Sequence, residues 1–285
     1  MCDEFTQADA AASAGLTRRD FAAMGGAAAL MVATQAEAAP AGLVEANVVI
    51  ATPDGEADGF FVHPGEGKHP GIILWPDIAG LRDAYKVTAR KLALAGYAVL
   101  AVNPYYRSAR APVFASFSQW RTPEGMARAK PMIAAITPEG TAQDARAFAA
   151  FLATKPAVDT KRKIGTSGYC MGGAAAVRTA AAVPSRVGAV ASFHGAYLVN
   201  DAPNSPHRLI AQTQAAYLFA IGRGDDARSP EEKTTLKAAA AVAHRPAEIE
   251  VYAAEHGWCT LDSPVYDAGE DARAWARMLA LFAGL

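Results

Sequence analysis

From residue 43 onward, short apolar or β-branched runs alternate with Ala-rich, amphipathic stretches, and few architectures can bury both kinds of segment at once. The runs lie at 43–50, 58–63, 71–75, 96–102, 162–167, 187–193, 215–221 and 247–253, end in turn residues, and predict strands. Between the later ones, stretches at 83–95, 142–154, 171–183, 230–243 and 268–283 repeat apolar residues at helical spacing. Strand-helix alternation predicts an α/β fold with a mostly parallel central sheet and helices on both faces. No helical stretch separates the first two runs, so they predict an antiparallel hairpin at one edge. With 285 residues, 52% of them hydrophobic and 19% charged, the chain can fill one large core as a single domain. Residues 108–141, carrying Trp120, Met126, Met132 and several prolines, show no clear pattern and read as a lid, a binding loop or a disordered excursion.

The first 38 residues read as an export signal rather than as part of that fold. Residues 21–33 form an apolar run long enough for a signal-peptide core and short of the roughly 18 residues a permanent membrane span needs. Thr17-Arg18-Arg19-Asp20-Phe21 before it resembles the twin-arginine motif, and Ala36-Glu37-Ala38 after it has the form of a cleavage site. The motif lacks its usual following lysine, and Asp3, Glu4 and Asp9 make the leading residues acidic. A helix buried in the fold is the competing expectation, but Gly25 and Gly26 weaken such a helix. The domain is therefore expected to span 39–285, in a protein that is periplasmic or otherwise exported.

Charge excludes a class of partners. The chain carries 27 Lys plus Arg against 28 Asp plus Glu; residues 1–38 hold two basic and five acidic residues, leaving 25 basic against 23 acidic. That near balance offers no surplus of cations for nucleic acid or an anionic membrane. Cys2, Cys170 and Cys259 are too few and too scattered for a disulfide framework, and no C-x-x-C pair implies a structural metal.

The most specific motif lies where the strand at 162–167 runs into the helix at 171–183. Gly168-Tyr169-Cys170-Met171-Gly172 is G-x-C-x-G in the place of the G-x-S-x-G elbow, a strained strand-to-helix turn that exposes one nucleophile. The helix that follows aims its amides and positive dipole end at the Cys170 thiol, favouring thiolate. Ser167 is excluded as the nucleophile because its frame puts Tyr169 where the second glycine is needed. A buried structural thiol is the alternative for Cys170. A base and an acid are then expected after later strands, in the order nucleophile, acid, base.

His256, in Glu255-His256-Gly257-Trp258 after the last predicted strand, is the candidate base. The strand at 215–221 runs into Gly222-Arg223-Gly224-Asp225-Asp226, read as a loop, with Ser229-Pro230 opening the next helix. Counting from the strand favours Asp225 as the acid; counting back from the proline favours Asp226. His194 ends the strand at 187–193 and either lines the pocket or is a satisfied core histidine.

Four segments together resemble the dienelactone hydrolase family of α/β-hydrolases: Trp75-Pro76-Asp77-Ile78-Ala79-Gly80-Leu81, Asn103-Pro104-Tyr105-Tyr106-Arg107, Gly168-Tyr169-Cys170-Met171-Gly172-Gly173 and Glu255-His256-Gly257-Trp258. The resemblance implies an α/β-hydrolase fold, a Cys-His-Asp triad and an oxyanion hole from the amides of Met171 and Ile78. It implies that Asp77, where many members have glutamate, is the carboxylate that holds the resting cysteine. Arg107 matches an arginine that looks like a ligand for a substrate carboxylate, its alternative being a solvated surface residue. Tyr105, His194 and Trp258 are expected beside the substrate. Cys259 either packs or pairs with Cys170 in an oxidising compartment.

The function expected from these residues is hydrolysis of a small carboxylic ester or enol lactone without metal or cofactor. Acyl transfer on the same scaffold and a non-catalytic periplasmic binding protein are the rivals.

Overall fold

The computed structural model describes residues 42–285, so the export segment lies outside the described residues. Eight strands, β1 (Leu43–Thr52), β2 (Gly55–Pro64), β3 (Gly71–Trp75), β4 (Ala98–Val102), β5 (Ile164–Tyr169), β6 (Val187–Phe193), β7 (Ala216–Gly222) and β8 (Ala247–Tyr252), form one sheet in the order β1-β2-β4-β3-β5-β6-β7-β8. The expected edge hairpin is present, with Leu43 opposite Pro64 and Thr52 opposite Gly55. β2 is antiparallel to β4, and the pairs from β4 to β8 are parallel. β3 (GIILW) and β4 (AVLAV) are buried at every residue, as strands covered on both faces must be.

The helices are α1 (Asp83–Leu94), α2 (Phe117–Trp120), α3 (Pro123–Ala134), α4 (Pro138–Ala153), α5 (Met171–Ala182), α6 (Pro206–Leu209), α7 (Arg223–Arg228), α8 (Glu231–Val242) and α9 (Ala268–Phe282). Phe148 and Leu152 of α4, Val177 of α5 and Leu236 of α8 enter the apolar layer on one side of the sheet. Tyr85, Ala89 and Leu92 of α1 and Met278 and Phe282 of α9 enter the layer on the other. Both faces of the predicted α/β sheet are thus covered, as an α/β-hydrolase fold requires. Among the described residues no helix is long and apolar enough to cross a membrane.

Two local expectations change, and of those for residues 108–141 only the disordered excursion fails, since Ile133 and Ile136 line a cavity. Residues 108–141 are largely helical, and Phe114, Phe117, Trp120 and Ala129 pack with Ile78 and Tyr105 into a third apolar cluster. The helices start at two copies of one signal, Thr122-Pro123-Glu124-Gly125 and Thr137-Pro138-Glu139-Gly140. In each the threonine Oγ1 accepts the glycine amide at 3.0 Å and proline takes the first helical turn, where its missing N–H costs nothing. Pro131 inside α3 masks the pattern in the sequence. The second change is the loop after β7, which is the short helix α7, with Asp225 and Asp226 in its first turn.

Candidate active site

β5 reaches Tyr169, and α5 begins at Met171, so Cys170 alone makes the turn. Its φ of 53° and ψ of −120° fall in a region costly for any residue with a Cβ. The surroundings impose it: the Cys170 amide donates to the Phe193 carbonyl, and its own carbonyl accepts from Gly173 and Ala196, each at 3.0 Å. Glycine is obligatory on both sides. A Cβ at Gly168 would overlap the Gly172 carbonyl, and one at Gly172 would meet the carbonyls of Trp75 and Pro76. Ser167 is wholly buried within β5.

His256 follows β8, and its Nδ1 lies 2.9 and 3.1 Å from the two Asp225 oxygens. Asp226 instead holds Lys233, at 2.6 and 2.7 Å. Burial alone would raise the Asp225 carboxyl, but the hydrogen bond and charge of His256, with Arg228 at 2.7 Å, hold it below its ordinary value. Cys170 Sγ and ring nitrogens of His194 and His256 lie within 4.8 Å of one another. Nucleophile and base candidates therefore converge from β5, β6 and β8, and Asp225 is the aspartate that reaches the base.

Met171 is the first residue of α5, where the amide has no carbonyl one turn earlier to bond. The Ile78 amide has no acceptor among the described residues. Ile78 itself is fixed from behind, since the Tyr105 hydroxyl donates to its carbonyl at 2.6 Å. Tyr105 is fully buried and positions the turn that carries Ile78, rather than presenting its ring to a substrate. Trp258 is likewise buried, stacked on Tyr252 with centroids 5.2 Å apart and edge-on to His194 at 5.4 Å.

Two expectations drawn from the resemblance are corrected by the ion pairs. Both Asp77 oxygens are bound by the fully buried Arg82, Oδ1 at 2.7 Å and Oδ2 at 3.0 Å, and Oδ1 also accepts the Ala79 amide at 2.9 Å. Arg82 reaches on to Asp262 through Nε and Nη2 at 2.8 and 2.7 Å. Asp77 thus ties the turn carrying Ile78 to the segment after His256, and is not a carboxylate poised on the thiol. Arg107 is neither solvated nor poised for a substrate carboxylate: it holds Asp144 at 2.8 and 2.9 Å and Asp54 at 2.6 Å.

His194 is 1% exposed, its ring centroid 4.6 Å from that of His256, and neither ring nitrogen has a partner among the described residues. Burial, reinforced by facing His256, pushes its imidazole well below the ordinary value, so it is neutral. It is a buried histidine against His256, and not a satisfied core one. Cys259 is a buried thiol among Tyr169, Tyr252 and Trp258, and it forms no bridge with Cys170. Burial and Asp271 push that thiol well up.

A cavity of about 260 Å³ opens beside the first turns of α5, lined by Trp75, Ile133, Ile136, Met171, Arg178 and Tyr197. A second of about 190 Å³ is lined by Tyr197, Asp225, Glu232 and His256. Arg82, Arg178, Tyr197 and Glu232 escaped sequence reasoning: Arg82 stands one residue beyond the Trp75–Leu81 segment, and the other three lie on helices or turns with no motif around them.

Residues 57–285 match the sequence profile of the dienelactone hydrolase family. A Salmonella typhi protein named for carboxymethylenebutenolidase activity is 28% identical over 265 residues, covering 86% of this chain and 94% of its own. One of the same name from Methylorubrum extorquens is 27% identical over 243 residues, covering 83% and 80%. Among solved structures, a dienelactone hydrolase from Klebsiella pneumoniae subsp. pneumoniae superposes with a TM-score of 0.72 at 21% identity, covering 85% of this chain and 99% of its own. A dienelactone hydrolase-like promiscuous phosphotriesterase from metagenomic libraries superposes at 0.66 with 24% identity, covering 85% and 98%.

Proposed function

The chain belongs to the dienelactone hydrolase family, and from that premise we propose that it is an exported hydrolase of small carboxylic esters or lactones with Cys170 as nucleophile. The observation that carries this reading is the strained turn at Cys170 beside a histidine whose far nitrogen is held by Asp225. His256 takes the thiol proton as sulfur attacks the substrate carbonyl. The amides of Ile78 and Met171 receive the charge that develops on the carbonyl oxygen, and Asp225 stabilises the imidazolium and fixes its tautomer. Collapse breaks the ester bond, and the leaving alkoxide takes the proton from His256. Water, deprotonated by the same imidazole, then attacks the thioester, releasing the carboxylic acid and restoring the thiol. Thiol, imidazole and amides account for each step without a cofactor. Export rests on Arg18, Arg19 and the apolar run that follows.

Incubation with an activated aryl ester tests the reading. Wild-type protein should turn it over and trap a thioester on Cys170, while a folded Cys170→Ala variant should do neither. Equal turnover by that variant sinks the assignment. A trapped acyl group passed to an added amine or alcohol faster than to water would replace hydrolysis by transfer, and absence of both turnover and thioester would leave a binding protein.

A further inference from the structure

A buried imidazole with neither nitrogen hydrogen-bonded is costly, because each polar atom has given up water for nothing. Both nitrogens of His194 are in that position among the described residues, as is Nε1 of the Trp258 indole packed against it. His194 is also one of three convergent soft or borderline donors, with Cys170 Sγ and a nitrogen of His256 within 4.8 Å of one another and of it. We propose that Cys170, His194 and His256 form a binding site for a thiophilic divalent cation such as Zn²⁺, whose occupation switches the proposed hydrolase off.

Donor type, spacing and support agree. Thiolate and imidazole are the preferred ligands of Zn²⁺, and metal–sulfur and metal–nitrogen lengths of about 2.3 and 2.0 Å put tetrahedral donors roughly 3.5 Å apart. Side-chain rotations of about an ångström therefore close the site around an ion. His256 already has the carboxylate partner that orients metal-binding histidines, since Asp225 takes its Nδ1 and leaves the other nitrogen to face Cys170 and His194. Trp258 and Tyr169 fix the His194 ring from two sides, at 5.4 and 6.2 Å between centroids. Three protein donors leave a fourth position for water. As the sulfur–metal bond forms, the thiol proton leaves to solvent, and both the nucleophile and the base are occupied. The block of turnover rests on the proposed hydrolase; the binding does not.

Cobalt(II) is the probe, because a thiolate bound to tetrahedral Co²⁺ gives a sulfur-to-metal charge-transfer band and intense visible transitions. Titration of the whole chain should give both with one ion per protein, and the band should vanish in Cys170→Ala. A folded His194→Gln variant should bind at least about tenfold more weakly, by analogy with the loss seen even for outer-sphere partners. Zn²⁺ should protect Cys170 from iodoacetamide in wild type, and His194→Gln should need at least about tenfold more of it. Should His194→Gln not fold, His194→Phe, close in shape, replaces it in both measurements. No band in wild type, or binding and protection unchanged by loss of His194, overturns the proposal. Ester turnover measured without metal on the same preparations separates the two ideas. Cobalt bound through His194 by a protein that hydrolyses nothing supports the site and sinks the enzyme, while turnover with no cobalt bound does the reverse.

Discussion

The Asp77 carboxylate lies against the Arg82 guanidinium with both oxygens engaged, 2.7 and 3.0 Å from Nη1 and Nη2, in a pair whose side chains are 2% and 0% exposed. Burial would weaken the guanidinium's charge, but Asp77 and Asp262 together hold it firmly protonated. Such a pair is expensive to break from one side, because the remaining charge stays buried.

Asp77→Asn should therefore destabilise the fold by roughly 3 kcal/mol, the lower part of the range for an orphaned buried charge, since Asp262 remains on Arg82. Denaturant unfolding measures this. The alkylation rate of Cys170 in the folded variant should match wild type. A faster or slower thiol at unchanged stability would return Asp77 to the role of resting carboxylate.

Asp225→Asn should slow acylation by more than roughly tenfold and by less than the roughly ten-thousand-fold of the equivalent change in a serine protease, because a thiol ionises more readily than a hydroxyl. Asp226→Asn removes only the partly exposed ion pair with Lys233, worth under about 1 kcal/mol, and should leave acylation near wild type. Single-turnover kinetics with an aryl ester decide the matter, and a larger loss at Asp226 would contradict the geometry.

Glu232 lines the cavity that also holds Asp225 and His256, and burial, reinforced by Asp225, pushes its carboxyl up to about 7 from an ordinary 4.5. Between those values the unfolded chain has lost this proton while the folded chain keeps it, so its contribution to stability falls as pH rises through the window and is flat above it. Glu232→Gln should accordingly gain Tm over wild type at about pH 8 and lose that gain near pH 4.5. A Tm difference that is the same at both would show that Glu232 titrates normally.

Replacing Arg18 and Arg19 with lysine should leave a full-length precursor in the cytoplasm of an expressing bacterium. Cell fractionation with an antibody reads this directly, and an undiminished periplasmic yield of the processed chain would exclude the twin-arginine route.

What the sequence determined by itself is whatever short range enforces. Apolar runs such as GIILW and AVLAV are legible as doubly covered strands because burial on both faces leaves no polar position. The turn at Cys170 is legible because Gly168 and Gly172 stand within two residues of it, and His256 because it directly follows the last strand. The capped starts of α3 and α4 were equally local and were hidden only by the prolines around them. Tertiary structure alone decided the long-range pairings of charge. Arg82 meets Asp262 across 180 residues and Arg107 meets Asp54 across 53, and no spacing rule connects such partners. The choice between Asp225 and Asp226 belongs to the same class, since adjacent residues on one helical turn point about 100° apart and only the packing of α7 against β8 settles which faces His256. His194 is the sharpest case. Its place in the sequence puts it at the end of β6, but its unsatisfied nitrogens and its closeness to Cys170 arise only when β5, β6 and the loop after β8 are brought side by side.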